Sequence, residues 1–210
     1  MSKANKSNKA IKYRLYPNDE QKVMFAKTFG CCRFVYSQLL ALQKQRYKDG
    51  ESHLSKLKSN EFATRTLKKD YDFLKEIDKF AVSNAVFHLA DAYDRFFKKQ
   101  NHFPKFKSKR KSKKSYTTNF TNNNILIGKN VIKLPKVGMV KAVIHKLPKD
   151  DWKLKSVTVS QDSVGNYFAS VLFEYEQEDI PSVSKSSTNA IGLDYKSDGL
   201  YMDSNGNKAG

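Results

Sequence analysis

The stretch KAIKYRLYPNDEQ, residues 9–21, predicts a change from strand to helix near the start of the chain. Apolar side chains alternate with basic ones, and the apolar positions are Ile11, Tyr13 and Leu15. This period of two predicts a strand over residues 9–17 that ends at Pro17. Asn18 follows as an N-cap, and Gln21 completes a capping box three residues later. The chain is therefore expected to begin with a strand and to enter a helix directly.

Helical periodicity continues over residues 18–100. The spacing of apolar residues predicts helices over 19–29 and 31–48, separated at Gly30. A shorter helix is expected over about 58–70, and the clearest helix covers about 79–99. This last helix carries an apolar stripe expected to lie in the core, made of Val82, Val86, Leu89, Tyr93, Phe96 and Phe97. Residues 18–100 therefore predict a bundle of three or four helices.

Short β-branched or aromatic runs follow residue 115 and are separated by Asn, Gly and Pro turns. The runs are 116–120, 125–127, 131–134, 137–144, 156–159 and 167–175. Several short strands at this spacing indicate an antiparallel barrel or sandwich, and the isolated first strand is expected to join it. The predicted fold class is α+β. A split antiparallel β-barrel is formed by residues 1–17 and 115–176, and the helical bundle is inserted between its two parts.

The last part of the chain has a different composition. Residues 177–188 predict a linker, because they combine acidic residues with Pro181 and a Ser/Thr cluster. Residues 189–210 predict strand, turn and strand, with an Asn-Gly turn at residues 205–206. A hairpin of this size cannot bury its own core, so the chain is expected to stop inside a further domain.

One carboxylate in this hairpin is a candidate metal ligand. Asp194 ends the apolar run Ile191-Gly192-Leu193, which suits a metal-binding carboxylate of an RNase H-like nuclease. An aspartate in a surface turn is the commoner explanation of this pattern. Asp198 and Asp203 lie too far along an extended chain to complete a site without other segments.

Composition excludes several classes of protein. The chain has 210 residues, with 39 Lys and Arg against 21 Asp and Glu, a net charge of +18. Its hydrophobic content of 39% and aromatic content of 12% argue against a disordered basic tail. The two cysteines, Cys31 and Cys32, are adjacent and provide neither a disulfide framework nor a zinc motif. The absence of an apolar span or a signal peptide predicts a cytoplasmic protein without membrane contact.

The positive charge is concentrated in two short segments. Residues 1–17 and 98–114 hold +14 of the +18 net charge, and residues 98–114 contain nine basic residues and no acidic one. A charge run is often only a solvated surface, but Phe103, Pro104 and Phe106 are interleaved with these cations. Aromatics among cations are typical of nucleic-acid binding, because phosphates and base faces are both recognised. If about six cations contact phosphates, the log–log salt slope of binding would be roughly −4 to −5.

The candidate nucleic-acid contacts are the cations of both segments and one tyrosine that follows them. They are Lys12, Arg14, Lys98, Lys99, Lys105, Lys107, Lys109, Arg110, Lys111, Lys113, Lys114 and Tyr116.

Six short motifs resemble one known family. They are KYRLYP (12–17), GCCRFVY (30–36), FPKFK (103–107), LPKVG (134–138), SVTV (156–159) and IGLD (191–194). In this order, and over essentially the whole chain, the sequence is similar to the TnpB (OrfB) proteins of bacterial and archaeal insertion sequences.

This resemblance implies a fold and an activity. TnpB proteins are RNA-guided DNA endonucleases in which a β-barrel wedge domain is split by a helical recognition domain. A RuvC-like nuclease domain with a zinc ribbon follows, and Asp194 matches the first of its three Mg²⁺-binding carboxylates. The implied partners are a guide RNA and double-stranded DNA near the nucleoid, with an indirect link to the transposase of the same insertion sequence.

The sequence departs from the family in two respects. The second and third carboxylates and the four zinc cysteines are absent from these 210 residues, and Lys196 stands where many members have glycine. One carboxylate is not expected to hold Mg²⁺, so no cofactor is expected to bind to this chain. The hypothesis is an N-terminal portion of a TnpB-type protein, involved in DNA transposition, that binds nucleic acid without cleaving it alone.

Two alternatives remain open at this stage. A free-standing DNA-binding regulator would use the helices around Gly30 as a helix-turn-helix and would never engage RNA. Its exposed recognition helix should be strongly basic, whereas residues 31–48 are only mildly basic. A ribosome-associated protein fits the charge but not the motif pattern.

Overall fold

A computed structural model describes residues 5–177, 192–196 and 199–209 of the chain. The chain divides into two compact units, residues 1–176 and residues 177–210, which are described separately below. The predicted linker, residues 177–188, lies almost entirely outside the described residues. No helix in the described ranges is both long enough and apolar enough to cross a membrane.

The first helix, α1 (Asp19–Lys48), begins at the predicted capping box. The Gln21 amide donates to Asn18 Oδ1 at 2.8 Å, and the Asn18 amide donates to Gln21 Oε1 at 3.1 Å. The predicted break at Gly30 is wrong, because the helix continues without interruption through this residue. A glycine inside a helix costs about 1 kcal/mol, and burial of Phe29 and Val35 on either side offsets that cost.

The remaining helices lie between α1 and residue 97. A helical segment comprises α2 (Lys56–Glu61), a π-helical turn (Phe62–Leu67) and α3 (Lys68–Asp70), which confirms the prediction over 58–70. A short 3₁₀ turn (Asp72–Lys75) leads to α4 (Lys79–Phe97), which confirms the clearest predicted helix. Val82, Val86, Leu89 and Tyr93 of its stripe are buried, but Phe97 is 62% exposed.

Seven strands form one sheet in the order β2-β6-β7-β1-β5-β4-β3. The strands are β1 (Asn5–Tyr16), β2 (Lys114–Asn119), β3 (Leu126–Ile127), β4 (Val131–Leu134), β5 (Gly138–Val143), β6 (Lys153–Gln161) and β7 (Tyr167–Gln177). β1 joins the later strands, as predicted, and lies between β7 and β5. The sheet of the described residues is open, because β2 and β3 are its edges and no hydrogen-bonded pairing closes it into a barrel.

The helices pack on one face of this sheet through a layer of aromatic rings. Phe25 lies 5.5 Å from Tyr167 between ring centroids, and Phe29 lies 5.9 Å from Tyr116. A buried carboxylate adds a polar connection, since Asp78 caps α4 and accepts a 2.7 Å hydrogen bond from Thr118 of β2. Sheet and helices therefore share one core and form a single α+β unit.

The described residues of the second unit form three strands, β8 (Leu193–Lys196), β9 (Gly199–Asp203) and β10 (Lys208–Ala209). They form a separate antiparallel sheet in the order β10-β9-β8. The predicted turn at residues 205–206 is confirmed, with Gly206 at φ +86°. The short third strand was not predicted, because two residues carry no periodic signal.

Candidate nucleic-acid interface

Residues 98–114, the basic segment, run from the end of α4 to the start of β2. At its start Lys99 has φ +57°, the left-handed position that ends many helices. The amides of Lys99 and Gln100 donate to the carbonyls of Phe96 and Arg95, at 2.9 and 2.8 Å. A turn follows, in which the Ser108 amide donates to Ser112 Oγ at 2.9 Å. The cations are therefore carried on a loop with local hydrogen bonds of its own.

The charge of the basic segment is not neutralised within the described part of the chain. None of its nine cations forms an ion pair there, whereas Lys27, Lys56 and Lys75 of the helical region all pair with acidic side chains. Lys114 has a neutral partner, Gln161 Oε1, at 3.1 Å. Lys98, Lys99, Lys105, Lys109, Arg110, Lys111 and Lys113 are exposed. Exposed and unpaired cations on one loop form a surface suited to a polyanion.

Lys107 differs from the other cations of the basic segment. Its Nζ lies 4.1 Å from the centroid of the Tyr36 ring, so this cation contacts α1 although the residue is exposed overall. Burial lowers the pKa of Lys107 below its ordinary value. The side chain borders a cleft of about 40 Å³ between α1, α4 and β2, together with Arg33, His88 and Lys113. Lys114 also borders the cleft, so cations of α1, of the basic segment and of the start of β2 surround it.

The aromatic residues predicted to stack on bases have different positions. Phe103 and Phe106 are 40% and 52% exposed, and Lys44 Nζ lies 5.5 and 4.9 Å from their ring centroids. The prediction that Tyr116 contacts nucleic acid is wrong, because its side chain is buried against Phe25 and Phe29. Burial raises the pKa of Tyr116 well above its ordinary value. Tyr116 belongs to the inward face of β2, which the basic composition around it concealed.

The outward face of the sheet brings Lys12 and Arg14 together with an aromatic ring. Lys12 Nζ lies 4.2 Å and the Arg14 guanidinium 5.0 Å from the centroid of Phe168 on β7. Arg14 also donates a hydrogen bond to Asn166 and lies over the half-exposed ring of Tyr16. Phe168 was not predicted as a contact. In β7 it lies between the buried Tyr167 and Ala169, so strand alternation places its side chain on the outward face of the sheet.

A row of side chains on this outward face ends at Ser115, the residue that follows the basic segment. Ser115 pairs in register with Ser160, Ser160 pairs with Phe168, and Phe168 lies under Lys12. These residues cross four strands in one row, about 14 Å at the usual strand separation. The row combines hydroxyls, a ring and a cation, all of which can contact a nucleic-acid strand. Lys12, Arg14 and Ser115 therefore share the outward face, whereas Lys114 has the strand parity of the buried Tyr116 and lines the cleft on the helix side.

The second unit does not assemble a metal site among the described residues. Asp194 is exposed on β8 and pairs in register with Met202. Asp203 accepts hydrogen bonds from the amides of Asn205 and Asn207 at 2.9 and 2.8 Å, so it stabilises the β9–β10 turn. Hydrogen bonds from Asn207 lower the pKa of Asp203. No group of three His, Cys, Asp or Glu able to hold a metal occurs in the described ranges. These residues do not fit the two-Mg²⁺ chemistry of a nuclease.

The described chain is an α+β protein with an unpaired basic loop, and comparison with known proteins identifies its family. Residues 7–52 match a helix-turn-helix domain of the OrfB/IS605 type. The chain is 30% identical over 202 residues to a Streptomyces pristinaespiralis protein whose name proposes an RNA-guided DNA endonuclease, with 95% of this chain and 49% of that protein covered. The chain belongs to the TnpB/OrfB family.

Two further relatives match the chain over different shares of their own lengths. InsQ of Escherichia coli K12, whose name proposes the same activity, is 29% identical over 192 residues, which cover 88% of this chain and 44% of InsQ. The virulence protein VsdF of Salmonella dublin is 33% identical over 111 residues, which cover 48% of this chain and 93% of VsdF. The chain thus spans about half the length of the two endonuclease relatives.

The matched helix-turn-helix region has an unexpected conformation here. Residues 7–52 consist of most of β1, the uninterrupted α1 and the first residues of the following loop. The pair of helices expected at 19–29 and 31–48 is therefore wrong, and Val35, Leu39 and Leu40 of the second half are buried. A helix with this much of its surface in the core leaves only part of its circumference for a DNA groove. The interpretation as a free-standing regulator required a separate recognition helix over residues 31–48, and these residues are instead the second half of α1.

Proposed function

We propose that this chain is a nucleic-acid-binding portion of a TnpB-type protein encoded by an insertion sequence. Its ligands would be a guide RNA and the DNA duplex beside the target. The basic segment would set affinity through phosphate contacts, and the row from Ser115 to Lys12 would extend the contact over the sheet. The open sheet would serve as the wedge domain of the family, and the helices from α1 to α4 as its recognition domain.

One observation carries this proposal, namely the lack of ion pairs in the basic segment among the described residues. Acidic side chains are available in the same unit, and they pair with cations of the helices. An uncompensated charge of +9 within 17 residues repels itself in the free protein. A polyanionic ligand removes this repulsion, because each phosphate contact neutralises a cation and releases a counterion.

We also propose that the second unit is the beginning of a RuvC-like nuclease domain and that Asp194 is its first carboxylate. The chain carries Asp194 without the further carboxylates that two Mg²⁺ ions require. Binding without cleavage is therefore the activity expected of these 210 residues. Specific cleavage after incubation of the purified chain with guide RNA, target DNA and Mg²⁺ would contradict this part of the proposal.

The test of the binding proposal compares two variants that each lose six charges. The first replaces Lys105, Lys109, Arg110, Lys111, Lys113 and Lys114 by Gln. The matched control replaces six ion-paired cations of the helical region by Gln: Lys22, Lys27, Arg46, Lys56, Arg65 and Lys75. Lys107 remains in both variants because it packs on Tyr36.

Binding is measured by fluorescence anisotropy with a structured RNA and a DNA duplex at 0.1 M salt. The basic-segment variant is expected to lose about 100-fold or more in affinity for both ligands, and the control less than about tenfold. Circular dichroism checks that both variants are folded. Equal losses in the two variants would mean that only net charge matters, and the basic segment would not be the binding surface.

Copurifying RNA distinguishes the proposal from a regulator that binds DNA alone. Extraction of the native chain purified from cells that carry the insertion sequence should recover one structured RNA. Loss of that RNA in the basic-segment variant is expected because the same cations hold both ligands. Recovery of DNA alone would favour the regulator.

A further inference from the structure

An aromatic groove lies at the end of the helical region where α1 and α4 terminate. Its rings are Tyr47, His53, Tyr93, Phe96, Phe97 and Phe103, and they border a cavity of about 660 Å³. Tyr47 comes from α1, three rings come from the last two turns of α4, and Phe103 comes from the basic segment. The volume falls within the range of cavities that accept organic ligands.

The rings of this groove form a connected network. His53 and Tyr93 are 4.5 Å apart between centroids, Phe96 and Phe103 5.2 Å, and Tyr93 and Phe97 6.1 Å. Tyr93 is buried at the base of the groove, whereas Tyr47 is 84% exposed and Phe97 62%. Isolated exposed rings are ordinary on a protein surface, but a contiguous aromatic cavity marks a binding site.

The charge around the groove indicates what occupies it. Lys44 and Lys48 line it, and Lys98 and Lys99 directly follow Phe97 in the chain. The one acidic lining residue, Glu51, is paired with Arg46. A ligand that satisfies this surface needs flat apolar groups for the rings and negative charges for the cations. A nucleobase attached to a phosphate chain has both features, and an apolar protein segment has only the first.

We infer that the aromatic groove binds unpaired nucleobases of a single-stranded nucleic acid by stacking, while Lys44, Lys48, Lys98 and Lys99 contact the adjacent phosphates. This inference rests on the proposed function, because it assumes that the chain binds nucleic acid. It adds a preference that phosphate contacts alone cannot supply, since phosphates are present in every strand. Bases within a duplex are stacked on each other and cannot enter the groove, so the ligand there is single-stranded.

The test uses the full chain and a pair of 12-nucleotide RNAs, one normal and one with its central bases removed to leave abasic riboses. The two RNAs carry the same phosphates, so the ratio of their affinities reports base contacts alone. The variant is Tyr47→Ala with Phe97→Ala, two exposed rings whose loss leaves Tyr93 and the core in place. The matched control is Val23→Ala with Leu57→Ala, two exposed apolar side chains outside the groove.

The native chain and the control are expected to bind the normal RNA about tenfold or more tightly than the abasic RNA. In the groove variant this ratio should fall to about 1, with the affinity for the abasic RNA unchanged. A 2-aminopurine placed at the central position should be quenched by the native chain and not by the groove variant. The single variant Tyr47→Ala, which alters an 84% exposed residue, should shift the ratio in the same direction if the double variant is unstable.

Three results would overturn the inference while leaving the proposed function intact. In the first result, the native chain binds the normal and the abasic RNA equally, and the basic-segment variant binds neither. The groove variant could lose both RNAs equally, which would indicate a structural role for the rings. The native chain could self-associate through Tyr47 and Phe97, so that a second copy occupies the groove. Failure of the native chain to bind either RNA or duplex DNA would instead contradict the proposed function itself.

Discussion

Cations of the helical region and cations of the basic segment carry the same charge but have different surroundings. In the helices, Lys27 pairs with Glu76 and Lys56 with Asp91, and further pairs link residues one turn apart. In residues 98–114 no such pair occurs among the described residues. Local charge balance, more than net charge, therefore separates an ordinary solvated surface from a candidate binding surface.

This contrast has an energetic consequence. Exposed ion pairs contribute about 0–1 kcal/mol each, so the helices depend on their charges only weakly. The unpaired cations contribute nothing to folding through pairing and repel each other, and their interaction energy is available to a ligand. Binding should therefore be sensitive to the basic segment, and stability should be sensitive to the buried contacts of the helices.

The salt dependence of binding provides the largest expected effect. If six cations of the basic segment contact phosphates, affinity should fall by a factor of about 250–1,000 between 50 and 200 mM salt, a slope of roughly −4 to −5. Anisotropy titrations at several salt concentrations measure this slope for the native chain and both six-charge variants. The basic-segment variant should keep only a shallow slope, set by remaining cations such as Lys12, Lys98 and Lys99, and the helical control a nearly native slope. A reversed order would make the helical cations the binding surface.

The buried cap of α4 is expected to dominate stability. Replacement Asp78→Ala removes the acceptor of the Ala81 amide and of Thr118 Oγ1, and it leaves a fully buried hydroxyl unsatisfied. We expect a loss of about 2–3 kcal/mol in the free energy of unfolding, measured by urea titration. Asp91→Ala, which breaks the exposed pair with Lys56, should cost less than about 1 kcal/mol. A similar loss of unfolding free energy in both variants would mean that the buried cap stabilises the fold no more than an exposed ion pair does.

The end of α4 allows charge and backbone strain to be separated at one residue. Lys99 has φ +57°, so Lys99→Gly should relieve strain and stabilise the fold by about 1 kcal/mol. The same change removes a cation, and affinity for nucleic acid should fall by about 2–10-fold. Lys99→Arg keeps both the charge and the strain and should leave both quantities near native. A variant that is stabilised without weaker binding would exclude Lys99 from the interface.

The smallest expected effect concerns pH. Partial burial of the ring against Tyr93 and Phe97 lowers the pKa of His53 below 6.5, although the residue is exposed overall. The folded chain therefore binds fewer protons than the unfolded chain just below that pH. The contribution of neutral His53 to stability is complete above pH 6.5 and declines as the pH falls. Urea unfolding at pH 7.5 and 5.5 should show a smaller decline for His53→Gln than for the native chain. Equal declines would place the titrating group elsewhere.

Local patterns predicted much of the fold. The capping box, α4 and the short strands all follow from spacing over a few residues, because helix and strand periods are local properties. Gly30 misled the prediction of α1, since its cost of about 1 kcal/mol is small beside the burial of the residues around it. Closure of the predicted barrel was not observed, because edge pairing between distant strands leaves no mark in a local pattern.

The candidate site residues also divide into those predicted from the sequence and those whose surroundings only the structure revealed. Composition alone predicted a binding role for the basic segment, and the family motifs predicted a catalytic role for Asp194; both stay predictions. Burial of Tyr116 depended on the face of β2 that meets α1, and the contact of Phe168 with Lys12 depended on strand order.

The amino-acid sequence was sufficient for the charge of residues 98–114, since charge density needs no folding, and for the family, since its motifs are linear. Tertiary structure alone decided which cations remain without partners and which rings surround the groove. Pairing and cavities arise between residues far apart in the chain, and their positions depend on how the helices and the sheet pack together.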